Sequence, residues 1–145
     1  MAPMRLDVIT AEREVLSDEV DLVVAPGSEG ELGILPNHSP LMTTLKEGEL
    51  TIRKGGEDTY LAVSGGFLEV MDNVVTVLAD ACERSEEISE ERAQEAMQRA
   101  QQRIEARVSD MDLERAMASM RRAQLRIRVA RRRRQRDGTP PAGQQ

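Results

Sequence analysis

The sequence predicts an α+β chain, in which a small N-terminal β-sandwich precedes an antiparallel hairpin of two helices. Apolar and polar residues alternate through the first 82 residues or so, which is the period of a half-buried strand. From Ser89 onward the apolar residues recur at intervals of three and four, which is the period of a helix. The 145 residues include one Phe, one Tyr and no Trp, so the core must be built from aliphatic side chains and Met.

Strand alternation appears in five segments of the first half, and turn-forming residues separate them. Seven to ten short strands with regularly spaced turns are typical of a sandwich or barrel. The pair Asp72-Asn73 predicts a tight hairpin turn, and residues 54–58 predict another. The alternating segments are residues 4–10, 19–25, 49–54, 60–63 and 66–79, the last of which holds two strands.

Two helices follow, each with a narrow stripe of mostly small apolar residues. Ser89 is the expected N-cap of the first helix, and Ser109 with Asp112 resembles a capping box for the second. Because stripes of Ala and Met bury little area, we expect a marginally stable hairpin. The sandwich is assigned to residues 1–84, the hairpin to 85–136 and a disordered tail to 137–145. The stripes are Ala93, Ala96, Met97, Ala100, Ile104 and Val108, then Leu113, Ala116, Met117, Met120, Ala123, Ile127 and Ala130.

Residues 26–40, PGSEGELGILPNHSP, form a corner in which turn-forming residues surround a few apolar ones. So many Gly and Pro residues exclude a helix interior, and the apolar centre argues against a disordered linker. We expect a rigid apolar turn, built on Leu32, Ile34 and Leu35, at one end of the sandwich.

The net charge of −6 hides an asymmetry between the body of the chain and its C-terminal arm. Residues 1–120 carry 25 acidic and 11 basic side chains, whereas residues 121–136 carry nine arginines and no acid. Such an arm favours an acidic partner: nucleic acid, an acidic protein surface or the chain's own body. The alternative is a solvated helix end, where cations are favourable in any case.

Few residues offer catalytic or metal-binding chemistry, which argues against a small enzyme. His38 is the one histidine, so a histidine-based metal cluster is excluded, and a loop residue with local hydrogen bonds is expected. Cys82 is the one cysteine, which fits an intracellular compartment and a buried thiol. The segment Ser64-Gly65-Gly66 lacks the Lys of a phosphate-binding loop and indicates a close backbone approach. No transmembrane stretch or signal peptide is visible.

Two phrases, in combination with the Ala-rich hairpin, resemble a known family. They are GELGILPNHSPL at residues 30–41 and VSGGFLEV at residues 63–70. Over about residues 4–130 the chain resembles the epsilon subunit of the bacterial and chloroplast F-type rotary ATP synthase. The resemblance implies a ten-stranded sandwich that binds the gamma subunit and rests on the ring of c subunits. It implies a rotor subunit without catalytic or metal-binding residues, peripheral on the cytoplasmic face of the cell membrane, that couples proton flow to ATP synthesis in the alpha–beta head.

The same resemblance implies two contact regions. In one state the hairpin packs on the sandwich. In the other state the hairpin extends along gamma and blocks ATP hydrolysis. Its basic end then contacts the beta subunits, and the candidate residues are Arg121, Arg122, Arg126 and Arg128. The corner is expected either to face gamma or the c-ring or only to close the sandwich, and its candidate residues are Leu32, Ile34, Leu35 and His38.

Some bacterial members of this family bind ATP in the folded state through a motif Ile/Leu-Asp-x-x-Arg-Ala. Residues 88–93 read Ile-Ser-Glu-Glu-Arg-Ala, so Ser89 stands in the place of the motif Asp. We therefore predict that no cofactor is required and that ATP is at most a weak regulatory ligand. In the alternative interpretation the arginines are surface ion-pair partners of nearby Glu residues. The residues that match the site are Glu83, Ile88, Arg92, Arg99, Arg122 and Arg126.

A nucleic-acid-binding accessory protein that uses the Arg-rich helix is the alternative function. Salt-dependent binding of short DNA or RNA that disappears when residues 121–145 are deleted would favour it. The aromatic stacking residues of single-strand binders are missing, and the acidic body would repel phosphates. Recovery of gamma, alpha, beta and c subunits from solubilised membranes would favour the synthase instead.

Overall fold

The computed structural model of the chain describes residues 2–106 and 109–136, with side chains as far as Arg133. The chain divides into two compact units, Met1–Arg84 and Ser85–Gln145. The tail predicted to be disordered, residues 137–145, lies outside the described residues, as does Val108 of the first apolar stripe.

The first unit contains ten strands, and the second contains a short 3₁₀ turn and two helices, as the family resemblance implied. Within the described residues, no helix is long and apolar enough to cross a membrane. The strands are β1 (Met4–Ile9), β2 (Glu14–Val20), β3 (Leu22–Gly27), β4 (Gly30–Ile34), β5 (Leu41–Leu45), β6 (Gly48–Lys54), β7 (Glu57–Val63), β8 (Gly66–Met71), β9 (Val74–Ala79) and β10 (Cys82–Arg84). The 3₁₀ turn is Ser85–Glu87, α1 is Glu90–Ala106 and α2 is Asp110–Arg136.

The strands form two layers around one core. One layer runs β10-β7-β6-β3 with β4 also paired to β3, and the other runs β5-β8-β9-β1-β2. The layers join where β3 meets β5, in a pairing of Gly27 with Leu45. Strands β1 and β9 pair in parallel, whereas their other neighbours, β2 and β8, run antiparallel to them. Alternate side chains of both layers therefore point into the shared interior.

The core of this unit is aliphatic, as the composition predicted. Both layers contribute large side chains that are at most 1% exposed, among them Met4, Leu6, Ile34, Leu50, Leu61 and Leu68. Phe67, the one phenylalanine, lies outside the core with 53% of its surface exposed. The aliphatic side chains bury enough apolar area to hold the two layers together without aromatic residues.

Both predicted hairpin turns are confirmed by their backbone angles. Asp72 and Asn73, between β8 and β9, have φ angles of 51° and 62°. Gly55 and Gly56, between β6 and β7, have φ angles of 58° and 79°. Two successive left-handed residues give the turn that matches the twist of the flanking strands, and Asn, Asp and Gly adopt this conformation at low cost.

The predicted close backbone approach in Ser64-Gly65-Gly66 is confirmed at Gly66. Its φ angle is 116°, and a Cβ atom there would overlap the carbonyl oxygen of Leu78 on the paired strand. A side chain at this position would therefore strain the backbone and push β8 away from β9.

The single strand predicted for residues 19–25 is wrong, because the chain changes layer at Asp21. Strand β2 ends at Val20 and pairs with β1, whereas β3 begins at Leu22 and pairs with β6. The Asp21 backbone N–H donates to the Arg53 carbonyl oxygen at 2.8 Å, and its carboxylate accepts from the Gly55 N–H at 2.8 Å. These two bonds fix the turn within an otherwise continuous apolar alternation. The strand segments predicted from the sequence also omitted β4, β5, β10 and most of β2.

Both predicted helix caps are confirmed. The Ser89 Oγ accepts a hydrogen bond from the Arg92 backbone N–H at 3.3 Å. The Ser109 Oγ accepts from the Asp112 N–H at 3.1 Å and donates to the Asp112 carboxylate at 2.8 Å. These bonds satisfy N–H groups that have no partner inside the helix, and they fix the starts of α1 and α2.

Buried alanines at seven-residue spacing mark the face along which α1 and α2 pack, which we call the alanine seam. Residues seven apart lie on the same side of a helix, and small side chains let two helices approach closely. Each seam residue is at most 6% exposed: Ala93 and Ala100 on α1, and Ala116, Ala123 and Ala130 on α2.

The predicted stripe of α2 needs two corrections. Met117 was placed on the buried stripe but is 45% exposed. Leu125 and Val129, which the stripe omitted, are 4% and 0% exposed. They lie one turn apart, so α2 buries a second row of side chains in addition to the alanine seam.

Candidate functional site

The Gly/Pro corner places its four candidate contact residues in different environments. Ile34, at the end of β4, is fully buried in the core, so its side chain supports the corner from within and presents no surface to a partner. Leu35, the next residue, is 53% exposed. Leu32 and His38 are half-buried. The exposed apolar part of the corner is therefore narrower than the sequence suggested and centres on Leu35.

Hydrogen bonds hold the corner against the β8–β9 turn. The His38 N–H donates to the Leu35 carbonyl oxygen at 3.2 Å, which closes a tight turn. The Asn37 N–H donates to Asn73 Oδ1 at 2.8 Å, and Asn73 Nδ2 donates to the Pro3 carbonyl oxygen at 3.2 Å. One asparagine thus joins the corner, the β8–β9 turn and the N-terminal segment at one end of the sandwich.

Exposed apolar side chains lie on the outer face of β5, β8 and β9, where Glu69 and Thr76 separate Phe67 and Leu78 from Met71. Phe67 pairs directly with Leu78, and both are about half exposed, at 53% and 52%. Met42, 67% exposed, is two residues from the partner of Phe67 on β5, within side-chain reach. Met71, 50% exposed, adjoins the turn that is bonded to the corner. Exposed apolar clusters of this kind mark interaction sites.

We name Leu35, Met42, Phe67, Met71 and Leu78 the apolar surface. The strand pattern of β8 carries a signal for this surface, although the candidate contact residues taken from the sequence did not include it. In β8 the alternation buries Leu68 and Val70 and therefore turns Phe67 and Met71 outward. An outward-facing aromatic residue in a chain so poor in aromatics was the available clue.

The arginines proposed for ATP lie on the outside of the hairpin. Arg92 and Arg99 are seven residues apart on α1, and Arg122 and Arg126 are four apart on α2. Arg126 is half-buried and the other three are exposed. Arg122 donates to the Ser119 Oγ at 3.1 Å. Ile88 is 9% exposed beside the α1 cap, and Glu83 lies on β10 in the first unit.

Of the arginines proposed for the beta contact, Arg128 shares a face of α2 with Arg121, seven residues before it, but not with Arg126. Because a helix turns about 100° per residue, Arg128 lies roughly 200° around α2 from Arg126. Arg128 instead lines a groove between α1 and α2 together with Arg131 and Arg132. Arg121 is exposed, as are Arg122 and Arg128.

An ion pair closes the hairpin near this groove. The Arg131 Nε donates to Glu90 Oε1 at 3.0 Å, and Glu90 is only 9% exposed. Glu90 belongs to the first turn of α1 and Arg131 to the last turns of α2. The pair therefore links the beginning of one helix to the end of the other, and each charge lies at the helix end that favours it.

The sandwich carries its own polar cluster on β1 and β2. The Asp7 carboxylate accepts from the Ser17 hydroxyl at 2.6 Å and from Arg5 Nε at 3.1 Å. The Ser17 bond and then the Arg5 bond lower the pKa of Asp7 below its ordinary 3.8.

In the part of the chain that the structure describes, no three His, Cys, Asp or Glu side chains are placed to bind a metal ion.

Family models match almost the whole chain. The β-sandwich domain of the ATP synthase delta/epsilon chain matches residues 3–85, and the long α-helix domain of the same chain matches residues 86–131. The two matches adjoin one another in the order of the two structural units.

Curated relatives agree with the family models. The ATP synthase epsilon chain of Herpetosiphon aurantiacus is 52% identical over 134 residues, which cover 92% of this chain and 98% of the relative. That of Dehalococcoides mccartyi is 53% identical over 139 residues, covering 92% and 96%. That of Desulforamulus reducens is 50% identical, covering 87% and 96%.

Solved structures share the fold. A chain of the Euglena gracilis mitochondrial ATP synthase, solved as an OSCP/F1/c-ring assembly, aligns with a TM-score of 0.67 at 22% identity, covering 90% of this chain and 79% of that one. A chain of the Tetrahymena thermophila central stalk and c-ring aligns with a TM-score of 0.55 at 19% identity, covering 90% and 96%. None of these matches supports the nucleic-acid-binding alternative. With both domain models and full-length relatives at about half identity in agreement, the chain belongs to the ATP synthase delta/epsilon chain family.

Proposed function

We propose that the chain is a non-catalytic subunit of the central stalk of a proton-translocating ATP synthase, which couples rotation of the c-ring and gamma to ATP synthesis in the head. Family membership supports the assignment to the synthase, since the relatives are epsilon chains along their full length. The two related structures belong to assemblies with a c-ring, one of them described as a central stalk.

The apolar surface is the observation that carries the contact role. Its five side chains are each at least 50% exposed, and four of them lie on adjacent strands of one sheet face. Leaving so much apolar area in water is unfavourable unless a partner covers it. The hydrogen-bonded corner adds Leu35 beside this face, with Leu32, Ile34 and His38 holding the turn in shape. We assign gamma and the c-ring as the partners.

The hairpin is proposed as the regulatory element. A seam of single methyl groups buries little area, so the free-energy difference between a packed and an extended hairpin is small, as a two-state element requires. Arg121, Arg122, Arg126 and Arg128 are the proposed contacts with an acidic surface of the beta subunits. ATP is proposed as a weak ligand at most, on the side of Arg92, Arg99, Arg122 and Arg126, with Ile88 and Glu83. The subunit is placed on the cytoplasmic face of the membrane through the complex.

The contact role is tested by charging the apolar surface. In Phe67→Asp we expect loss of co-purification with gamma and the c-ring, because a carboxylate cannot be buried there unpaired. Met117→Asp, which charges a 45% exposed Met on α2, is the matched control. Circular dichroism establishes that both variants fold. Undiminished recovery of gamma and the c-ring with a folded Phe67→Asp variant would contradict the assignment of this surface.

The regulatory role has a separate test. Deleting residues 85–145 from the assembled synthase is expected to leave the subunit bound through its sandwich and to raise the rate of ATP hydrolysis. A hydrolysis rate equal to that of the intact complex would exclude inhibition by the hairpin.

A further inference from the structure

A groove of about 650 Å³ lies between α1 and α2, on the side of the hairpin away from the arginines proposed for ATP. Arg92 and Arg99 lie roughly 130° around α1 from Gln94 and Gln98, which line the groove. On α2, Arg122 and Arg126 each lie roughly 160° around the helix from Gln124, which lines the groove. The full lining is Gln94, Met97, Gln98, Gln124, Ile127, Arg128, Arg131 and Arg132.

The groove has an apolar floor and a polar rim. Ile127 is 8% exposed and Met97 is half-buried, and both lie beside the alanine seam. The three glutamines and three arginines around them are exposed. A pocket with an apolar base and a few converging polar groups is the usual form of a small-molecule site.

The rim concentrates positive charge. Arg128 lies three residues before Arg131 and four before Arg132, so the three guanidinium groups are neighbours on one helix face. Glu90 takes the Nε–H of Arg131. A guanidinium has five N–H donors, so four remain on Arg131 for another acceptor. An anion between these groups would bind through charge-assisted hydrogen bonds.

The dimensions restrict the class of anion. The groove residues span about two helical turns, roughly 11 Å, which is too short to hold a helical peptide along its length. A volume of about 650 Å³ falls within the range of small-molecule sites, and the apolar floor would remain unused by an inorganic ion. A ligand with one charged end and an organic body fits both parts.

We propose that this groove is a binding site for a small organic phosphate. Arg128 and Arg132 bind the phosphate oxygens, and Arg131 adds donors while it keeps its bond to Glu90. Met97 and Ile127 pack against the organic body, and the glutamine amides hydrogen-bond its polar groups. The site requires only the folded hairpin, so it does not depend on the function proposed above.

The first test locates the anion with inorganic pyrophosphate as the probe. The full-length chain is titrated and followed by NMR, in which backbone and glutamine side-chain amides report locally. The variant Arg128→Gln/Arg132→Gln is compared with Arg103→Gln/Arg115→Gln, which removes the same charge at exposed positions outside both the groove and the residues proposed for ATP. We expect the first pair to weaken pyrophosphate binding about tenfold or more and the second to leave it nearly unchanged.

Two results would overturn the site. One is an equal loss in both double variants, which would indicate non-specific attraction to a basic surface. The other is undiminished pyrophosphate binding in Arg128→Gln/Arg132→Gln, which would place the anion elsewhere on the chain. Unchanged circular dichroism in both variants ensures that neither result reflects unfolding.

The second test examines the organic body by comparing phenyl phosphate with inorganic phosphate. The apolar floor predicts several-fold tighter binding of phenyl phosphate, and Met97→Gln is expected to abolish that preference. Equal binding of the two probes by the unmodified chain would overturn the organic part of the proposal. An acidic peptide that displaces pyrophosphate more effectively than phenyl phosphate does would also overturn it, in favour of a protein partner.

Discussion

Leu68 in the sandwich and Ala100 in α1 are buried to almost the same degree, at 0% and 1% exposure, but their burial stabilises the two units unequally. Leu68 packs a four-carbon side chain into a core that both layers share. Ala100 contributes one methyl group, worth roughly 0.8 kcal/mol by transfer. Equal fractional burial therefore accompanies different contributions to stability. The sandwich resists deformation and suits a docking body, whereas the hairpin suits an element that changes its packing.

Removing core volume from the sandwich is expected to have the largest effect. Leu68→Ala should lower the free energy of unfolding of the sandwich by about 3 kcal/mol, because the two layers cannot close over the cavity. Chemical denaturation, with hydrogen exchange at amides of β8 and β9, measures it. Leu78→Ala, a truncation on the exposed face, is the control and should cost less than about 0.5 kcal/mol. Equal losses in the two variants would contradict the described core.

Adding volume to the alanine seam is expected to have the next largest effect. Ala100→Leu should destabilise the α1–α2 packing by about 2 kcal/mol, because the helices approach too closely for a larger side chain. Faster hydrogen exchange in α1 and α2, with unchanged exchange in β8, is the expected result. Gln101→Leu, on the exposed side of α1, is the matched control. If Ala100→Leu stabilised the hairpin, the seam would have to contain unfilled space.

Acid sensitivity of the sandwich is the smallest effect. The pKa of folded Asp7 is lowered, so its contribution to stability is complete above about pH 3.8 and is lost as the pH falls through the folded pKa. Asp7→Asn should therefore reduce the loss of sandwich stability below that pH, by less than about 1 kcal/mol because Arg5 is exposed. Denaturation at a series of pH values measures it. If the variant and the unmodified chain lost the same free energy of unfolding at low pH, the role of the Ser17 and Arg5 bonds would be contradicted.

Local features were predictable from the sequence. The turn at Asp72-Asn73 and the caps at Ser89 and Ser109 depend on residues within three positions of one another, so the chemistry of those residues specifies them. The aliphatic core followed from composition, because too few aromatic residues exist to fill it.

Features that depend on distant residues were not predictable. Strand β4 begins with Gly30 and contains Gly33, so it looked like part of a turn, and only its pairing with β3 makes it a strand. The break at Asp21 is fixed by Arg53 and Gly55, more than thirty residues away.

The groove was hidden for the same reason. Nine arginines among residues 121–136 indicate a strongly positive segment, but they do not indicate which side of α2 each arginine faces. Which of them face the glutamines of α1 depends on how α1 and α2 are aligned, and neither helix specifies that alignment alone. The apolar surface was easier to predict from the sequence, since the alternation in β8 already turns Phe67 outward.

The aliphatic core also determines how the chain appears to optical methods. With no Trp and a single Tyr, at position 60, it absorbs weakly at 280 nm and has no tryptophan emission of its own. In a complex with any Trp-containing protein, all tryptophan fluorescence therefore originates in the partner. A change in that emission on mixing reports the partner's surroundings directly, and a single Trp introduced at an exposed position of either unit would be observed without background.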